Sequence, residues 1–187
     1  MAKAKKVLIL GASSYIGRHM YGTLGDESAT ATYYKNPMPN GIFFDSLSTQ
    51  LSDIVTSPDD FSHAVLLLGD TRAEYCAANP DESYSLNVAS IKRIIDSLIQ
   101  MKIKPVYASS EWVFDGSKGN YVESDATKAI LTYGQQKVEI EEYLQTRCDH
   151  FTIVRLSKVF GTERGDGTLF ATWVAAIERH ENIRCAQ

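Results

Sequence analysis

Cysteine is scarce in this chain, and what there is stands apart. Cys76, Cys148 and Cys185 share no C-x-x-C spacing, so the sequence offers neither a disulfide framework nor a thiolate metal site. They read as reduced cytosolic thiols, and no metal is expected. No apolar run reaches the roughly eighteen residues that a bilayer-spanning helix needs, so no membrane role is expected either. The opening Met1-Ala2-Lys3-Ala4-Lys5-Lys6 is basic, but only Val7 to Leu10 separates it from Gly11. That is too short for the core of a signal peptide, and the expected location is cytoplasmic. An excess of positive charge is missing too: 19 Lys and Arg face 23 Asp and Glu, for a formal net charge of -4, which gives nucleic acid no attracting field. Repeats, linkers and low-complexity segments are also absent. What remains is 187 residues, 44% of them hydrophobic, enough for one domain over 1–187 with a sizeable core.

The first informative stretch is Val7-Leu8-Ile9-Leu10, a continuous apolar run that reads as a strand buried on both faces. Gly11-Ala12-Ser13-Ser14-Tyr15-Ile16-Gly17 follows at once, and 16–24 has helical character. Strand, glycine turn and helix form the context in which backbone N–H groups receive a pyrophosphate. Ser14 stands where G-x-x-G-x-x-G would have its middle glycine; there a serine either donates its hydroxyl to phosphate or obstructs the cofactor. A second strand is expected over 29–34. The residue at its end is the one that inspects the adenosine ribose, and Tyr34 and Lys35 stand there with no acid. NADP(H) is therefore favoured over NAD(H), unless Lys35 merely solvates the loop that follows. Ile42-Phe43-Phe44 reads as a third strand ending at Asp45-Ser46, within reach of an adenine amino group. His63 to Leu68 reads as a fourth strand ending at Gly69, and Pro80 begins a helix running to about Met101. Asn87 falls inside it, either holding a water or backbone carbonyl near the site or simply exposed.

The stretch 106–137 carries the chemistry. The apolar run Pro105-Val106-Tyr107-Ala108 delivers Ser109 and Ser110, a polar loop follows Trp112-Val113-Phe114-Asp115-Gly116, and a helix opens with Tyr133-Gly134-Gln135-Gln136-Lys137. Tyrosine and lysine at i and i+4 share a helical face. A cation beside a phenol favours the phenolate and brings its pKa, near 10 when free, toward the working range. A strand over 151–155 and a helix over 169–180 complete an alternation of strands and helices. The expected fold class is α/β, Rossmann-like: a doubly wound parallel sheet with helices on both faces.

Gly11-x-x-Ser14-x-x-Gly17, Ser109-Ser110-Glu111-Trp112-Val113-Phe114-Asp115-Gly116, Tyr133-Gly134-x-x-Lys137 and Val154-Arg155-Leu156-Ser157-Lys158-Val159-Phe160-Gly161 together resemble the extended short-chain dehydrogenase/reductase family, within the NAD-dependent epimerase/dehydratase superfamily. The likeness is greatest to its dTDP-4-dehydrorhamnose reductase branch. The resemblance implies an oxidoreductase of a nucleotide-linked sugar, with Ser110 polarising the substrate carbonyl and Tyr133 as general acid. Lys137 would hold the nicotinamide ribose and lower the tyrosine pKa. It further implies Ser109, Ser110 and Glu111 toward the sugar, and Gly11, Ser13, Ser14, Tyr15, Ile16, Gly17, Tyr34, Lys35, Asp45, Ser46, Leu67, Leu68, Gly69, Tyr133 and Lys137 toward the cofactor. Members of that family continue beyond the segment matching Ile183 to Gln187. The expectation is thus a chain with the C-terminal substrate lobe largely absent, leaving recognition to 116–123 and 161–176. A cofactor-binding core, a gene fragment, a homodimer, or an assembly with a partner chain supplying the lobe all fit. Three functions stay open: an NADP-dependent reductase or epimerase of a 4-keto nucleotide-sugar, a non-catalytic regulatory or NADP-sensing subunit of the same fold, and a plain interaction domain.

Overall fold

The computed structural model describes residues 4–161, 163 and 166–183; Cys185 lies outside them. Two compact units divide the chain, Met1–Arg155 and Leu156–Gln187.

In the first unit, β1 (Lys6–Leu10) is the apolar run read from the sequence, and its alternate side chains enter two different cores. Leu8 and Leu10 join the larger cluster with Ile91, Ile94, Ile95, Leu98 and Ile140. Ile9 points the other way, among Ala12, Ala29, Ala31 and Met20. A strand dry on both faces needs a layer of helices on each side, which is the doubly wound arrangement. β2 (Ala29–Tyr33), β3 (Ile42–Phe43), β4 (Phe61–Leu66), β5 (Lys104–Ser110) and β6 (Thr152–Leu156) complete a six-stranded sheet in the order β3-β2-β1-β4-β5-β6. β1 pairs in parallel with β2 and β4, β2 with β3, and β4 with β5. Leu10 stands opposite Leu66, and Leu66 opposite Tyr107. Gly11 and Ser110 therefore emerge from the same carboxyl edge, where the strand order reverses between β1 and β4 and α/β sheets open a crevice.

The helices are α1 (Tyr15–Leu24), α2 (Leu51–Ile54), α3 (Ala73–Ala78), α4 (Pro80–Tyr84), α5 (Ser90–Gln100), α6 (Thr132–Arg147) and α7 (Leu169–Glu178). α5 buries Ile91, Ile94, Ile95 and Leu98, the i, i+3, i+4, i+7 stripe of an amphipathic helix. Truncating any one of them to alanine would cost about 2–5 kcal/mol.

Two differences from the sequence reading bear on the site. β4 begins and ends two residues earlier than expected, at Phe61 rather than His63. The polar Ser62 disguises its start, and Leu67 and Leu68 leave the sheet before Gly69, whose φ is +115°. The helix expected from Pro80 to Met101 is interrupted by a π turn over Ser85–Ala89, where the Ser90 N–H reaches back five residues to the Ser85 carbonyl. Cys76 is buried and Cys148 partly so, both as free thiols. No described helix is long and apolar enough to cross a membrane.

In the second unit, Thr168 stands just before α7, and its hydroxyl oxygen accepts from the Gly161 N–H at 3.2 Å rather than from the helix. Phe160, Phe170 and Trp173 meet edge to face.

Candidate functional site

The glycine turn is built by close approach. Gly11 has φ +87°, and a Cβ there would lie 2.6 Å from the Leu67 carbonyl oxygen. Its N–H donates to the Thr32 hydroxyl at 3.0 Å, and that hydroxyl donates to the Ile9 carbonyl at 3.2 Å. A Cβ at Gly17 would sit 2.6 Å from the Ala12 Cα, so no larger residue lets α1 pack this closely on the turn. Ser14, in extended backbone, accepts the Gly17 N–H at 3.2 Å and caps α1. Its hydroxyl oxygen is thus used by the helix, and its hydrogen remains a donor.

A cleft of about 580 Å³ opens beyond this turn. It is lined by Gly11, Ser13 and Ser14 from the turn, by Tyr34 and Lys35 after β2, and by Asp45 and Ser46 after β3. Leu67, Leu68 and Gly69 also line it, whereas Tyr15, Ile16 and Gly17, expected toward the cofactor, form the first turn of α1 and are not among its lining residues. The Asp45 carboxylate is engaged in its own turn, accepting from the Leu47 N–H at 2.9 Å and the Ser48 hydroxyl at 2.8 Å. Sequence reasoning missed Thr32, Asp70, Arg72, Tyr75 and Glu82, which also face the cleft. Asp70 and Arg72 form a forked ion pair, and that contact holds Asp70 below the usual carboxylate range. Their place just past the carboxyl end of β4 was the available signal.

β5 and α6 bring Ser110, Tyr133 and Lys137 to the same carboxyl edge. The Ser110 hydroxyl oxygen accepts from the Trp112 N–H at 3.3 Å, starting a short turn over Glu111–Val113. Gly134 lets α6 begin against that turn, since a Cβ there would lie 2.2 Å from the Trp112 carbonyl oxygen. The Trp112 and Tyr133 rings then meet edge to face, 5.9 Å between centroids. Tyr133 and Lys137 are both 7% exposed. The ammonium donates to the Ala108 carbonyl at 2.8 Å and lies over the rings of Tyr107, 4.6 Å from the centroid, and Tyr133, 5.5 Å.

This geometry departs from the expected pKa logic. Burial pushes the Tyr133 phenol up to about 12, with Cys76, Glu111 and Asp70 acting in the same sense. Burial likewise pushes the Lys137 ammonium down to about 8. The cation lies over the tyrosine ring and is held by a carbonyl, so desolvation outweighs its attraction for a phenolate.

Ser109 faces the opposite way from Ser110, as alternation along a strand requires. Its hydroxyl donates to Glu141, which is 2% exposed. Glu141 accepts a two-pronged contact from Arg155, whose remaining nitrogen donates to the Glu123 carbonyl at 3.0 Å. Arg155 also lies over the Phe114 ring at 5.0 Å, and Phe114 stacks on Tyr121 at 4.3 Å. These contacts hold the polar loop after Gly116 as one wall of a second cavity, about 680 Å³, lined by Glu111, Trp112, Phe114, Tyr121, Leu131 and Arg155 among others. Glu111 is among the residues lining this cavity, and one of its carboxylate oxygens is buried without a partner among the described residues.

The family model described as RmlD substrate binding domain matches residues 5–187. Methionine adenosyltransferase 2 subunit beta of Rattus norvegicus is 23% identical over 163 residues, covering 84% of this chain and 48% of that protein. The dTDP-4-dehydrorhamnose reductase of Escherichia coli strain K12 is 24% identical over 187 residues, covering 94% of this chain and 58% of its own length. The chain therefore spans about half the length of these curated relatives. Among solved structures, dTDP-4-dehydrorhamnose reductase from Bacillus anthracis strain Ames in complex with NADP superposes with a TM-score of 0.80. That match has 21% identity and covers 96% of this chain and 62% of the other, a likeness of fold.

Proposed function

From the premise that this chain belongs to the RmlD substrate binding domain family, we propose that it is an NADP(H)-linked reductase, or epimerase, of a nucleotide-linked 4-keto sugar. One observation carries the reading: Tyr133 and Lys137 are buried together at the end of β5 that bears Ser110, on the edge onto which the glycine turn opens. The cleft fits a dinucleotide because Gly11 and Gly17 leave backbone, rather than side chains, at the turn. Gly11, Ser13, Ser14, Tyr34, Lys35 and Gly69 would hold it, and when bound it supplies the hydride.

The chain's own residues handle the proton. A phenol pushed up to about 12 stays protonated at neutral pH, the state required of a general acid toward a carbonyl oxygen. Ser110 keeps a hydroxyl hydrogen to donate to that same oxygen, and Lys137 places an ammonium beneath the phenol ring. Glu111 and the cavity walls would receive the sugar. Taken as one NAD(P)-binding domain over 1–187, the protein would work in the cytoplasm, as a homodimer or with a partner chain.

A second reading is favoured by the similarity to a methionine adenosyltransferase subunit: a non-catalytic regulatory or NADP-sensing subunit with the same fold. Titration with NADPH followed by single-turnover reduction of dTDP-4-keto sugars separates the two. Binding with turnover supports the reductase. Binding with no turnover across a panel of keto-sugars transfers the reading to the subunit, and no binding of NADPH or NADH removes both.

A further inference from the structure

Between the cleft and α6 lies a chain of buried side-chain amides that neither the glycine turn nor the acid–base groups use. Asn87 is 5% exposed and sits in the π turn between α4 and α5. Its Oδ1 accepts from the Asp70 N–H at 2.7 Å, and its Nδ2 donates to the Asp70 carbonyl at 2.9 Å. Engaging both polar groups of one residue fixes the local backbone in a single orientation. Gly69 belongs to the same device, since a Cβ there would meet Asn87 Oδ1 at 2.6 Å.

The chain continues into α6. Asn87 Nδ2 also donates to Gln136 Oε1 at 2.8 Å, and Gln136 Nε2 donates to the Ser83 hydroxyl at 2.8 Å. Ser83 in turn donates to the carbonyls of Cys76 and Pro80. All heteroatoms of both amides are thereby satisfied, as buried polar groups require. Apolar side chains would fill this space without a desolvation cost, so what the amides supply is fixed geometry. Gln136 stands on α6 between Tyr133 and Lys137, all three buried, while Gly69 and Asp70 line the cleft.

We propose that Gln136 is a positioning residue. Through Asn87 it ties the Gly69–Asp70 wall of the cleft to the helix bearing Tyr133 and Lys137, so that a cofactor seated against that wall and the two acid–base groups share one register. The functional half of this rests on the cofactor reading above; the mechanical coupling does not.

Gln136→Met keeps the side-chain length and removes both hydrogen bonds. Hydrogen exchange at the Asp70 amide should then quicken by about tenfold, within the range seen for coupled neighbours, while the amides of Ile9 and Val65 inside the sheet keep their wild-type rates. An unchanged Asp70 amide, or a rise spread evenly over the sheet, overturns the coupling. NADPH affinity is then compared across wild type, Gln136→Met, Asn87→Ser and the double variant. Each single change should weaken binding by about tenfold and the double by little more than the worse single, because both break one chain. Effects that multiply would mean the two residues act separately and would refute the proposal. A wild type that binds neither NADPH nor NADH defeats the cofactor reading instead, and the exchange comparison still decides the coupling.

Discussion

At Tyr133 desolvation decides the protonation state. The phenol is buried beside Trp112, its Lys137 neighbour lies over the ring, and its pKa is pushed up to about 12. Tyr133→Phe keeps the ring and removes the transferable proton, so single-turnover reduction should fall by ~100-fold to ~10,000-fold, with NADPH affinity little changed. Activity at the wild-type level in this variant would remove the mechanism. Lys137 gives a second, independent check through stability. Burial holds its ammonium at about 8 against an ordinary value of 10.5, so between those values the unfolded chain binds the extra proton. Stability from this group therefore rises with pH across the window, and the full penalty is present below it. Lys137→Met abolishes the penalty, so the variant's advantage over wild type in urea melts should be constant below about pH 7. Across the window it should shrink by up to ~1.4 kcal/mol per pH unit. Taking the difference cancels contributions that the two proteins share. A gap that stays flat from pH 8 to 10.5 would mean the amine is not desolvated.

At the scale of elements, α6 is fixed by the glycine at its third residue. Gly134→Ala puts a methyl 2.2 Å from the Trp112 carbonyl oxygen, a backbone atom that cannot swing aside. Overpacking of this kind costs about 1–3 kcal/mol, and each kcal/mol lowers the melting temperature of a chain this size by about 2–4 °C. Gly22→Ala in α1, with nothing within 4 Å of the new methyl, should stabilise by about 0.5–1 kcal/mol. Equal melting shifts for the two would refute the packing account. The glycine turn and the tyrosine–lysine pair were legible in the sequence because each is local: one is a strand-to-helix junction, the other an i, i+4 relation. β1 was legible because burial on both faces makes it a continuous apolar run, and β4 was started late because the polar Ser62 separates Phe61 from the rest of its run. What could not be read depends on partners far along the chain. Ser109 finds Glu141 thirty-two residues on, and the π turn has its purpose only once Asn87 meets Asp70 and Gln136. Asp70 and Arg72 enter the cleft from a loop whose path is set by the sheet edge and not by its own residues.

At the scale of the whole molecule, the formal net charge of -4 gives an anionic cofactor no long-range attraction, so any preference for a 2′-phosphate rests on cations in the cleft itself. Two are present, and they are not equivalent. Arg72 is committed to Asp70 by a forked contact. Lys35 makes no ion-pair contact among the described residues; it lies over the face of Tyr34 at 5.8 Å, and its charge helps to hold Asp70 low from a distance. It is exposed, and an exposed charge contact is worth at most about 1 kcal/mol, or about fivefold in affinity. NADPH should therefore bind more tightly than NADH by no more than about fivefold at low salt. Raising the salt from about 50 mM to about 500 mM should erode that ratio toward unity, because the Debye length shrinks to a few ångströms. Lys35→Ala should abolish the ratio while leaving NADH affinity unchanged. The measurement is a pair of fluorescence titrations at each salt concentration. Equal affinities at low salt would sink the assignment to Lys35. A preference well above fivefold that survives Lys35→Ala would mean that Arg72 leaves Asp70 to meet the phosphate, and Arg72→Ala would then be the variant that loses it.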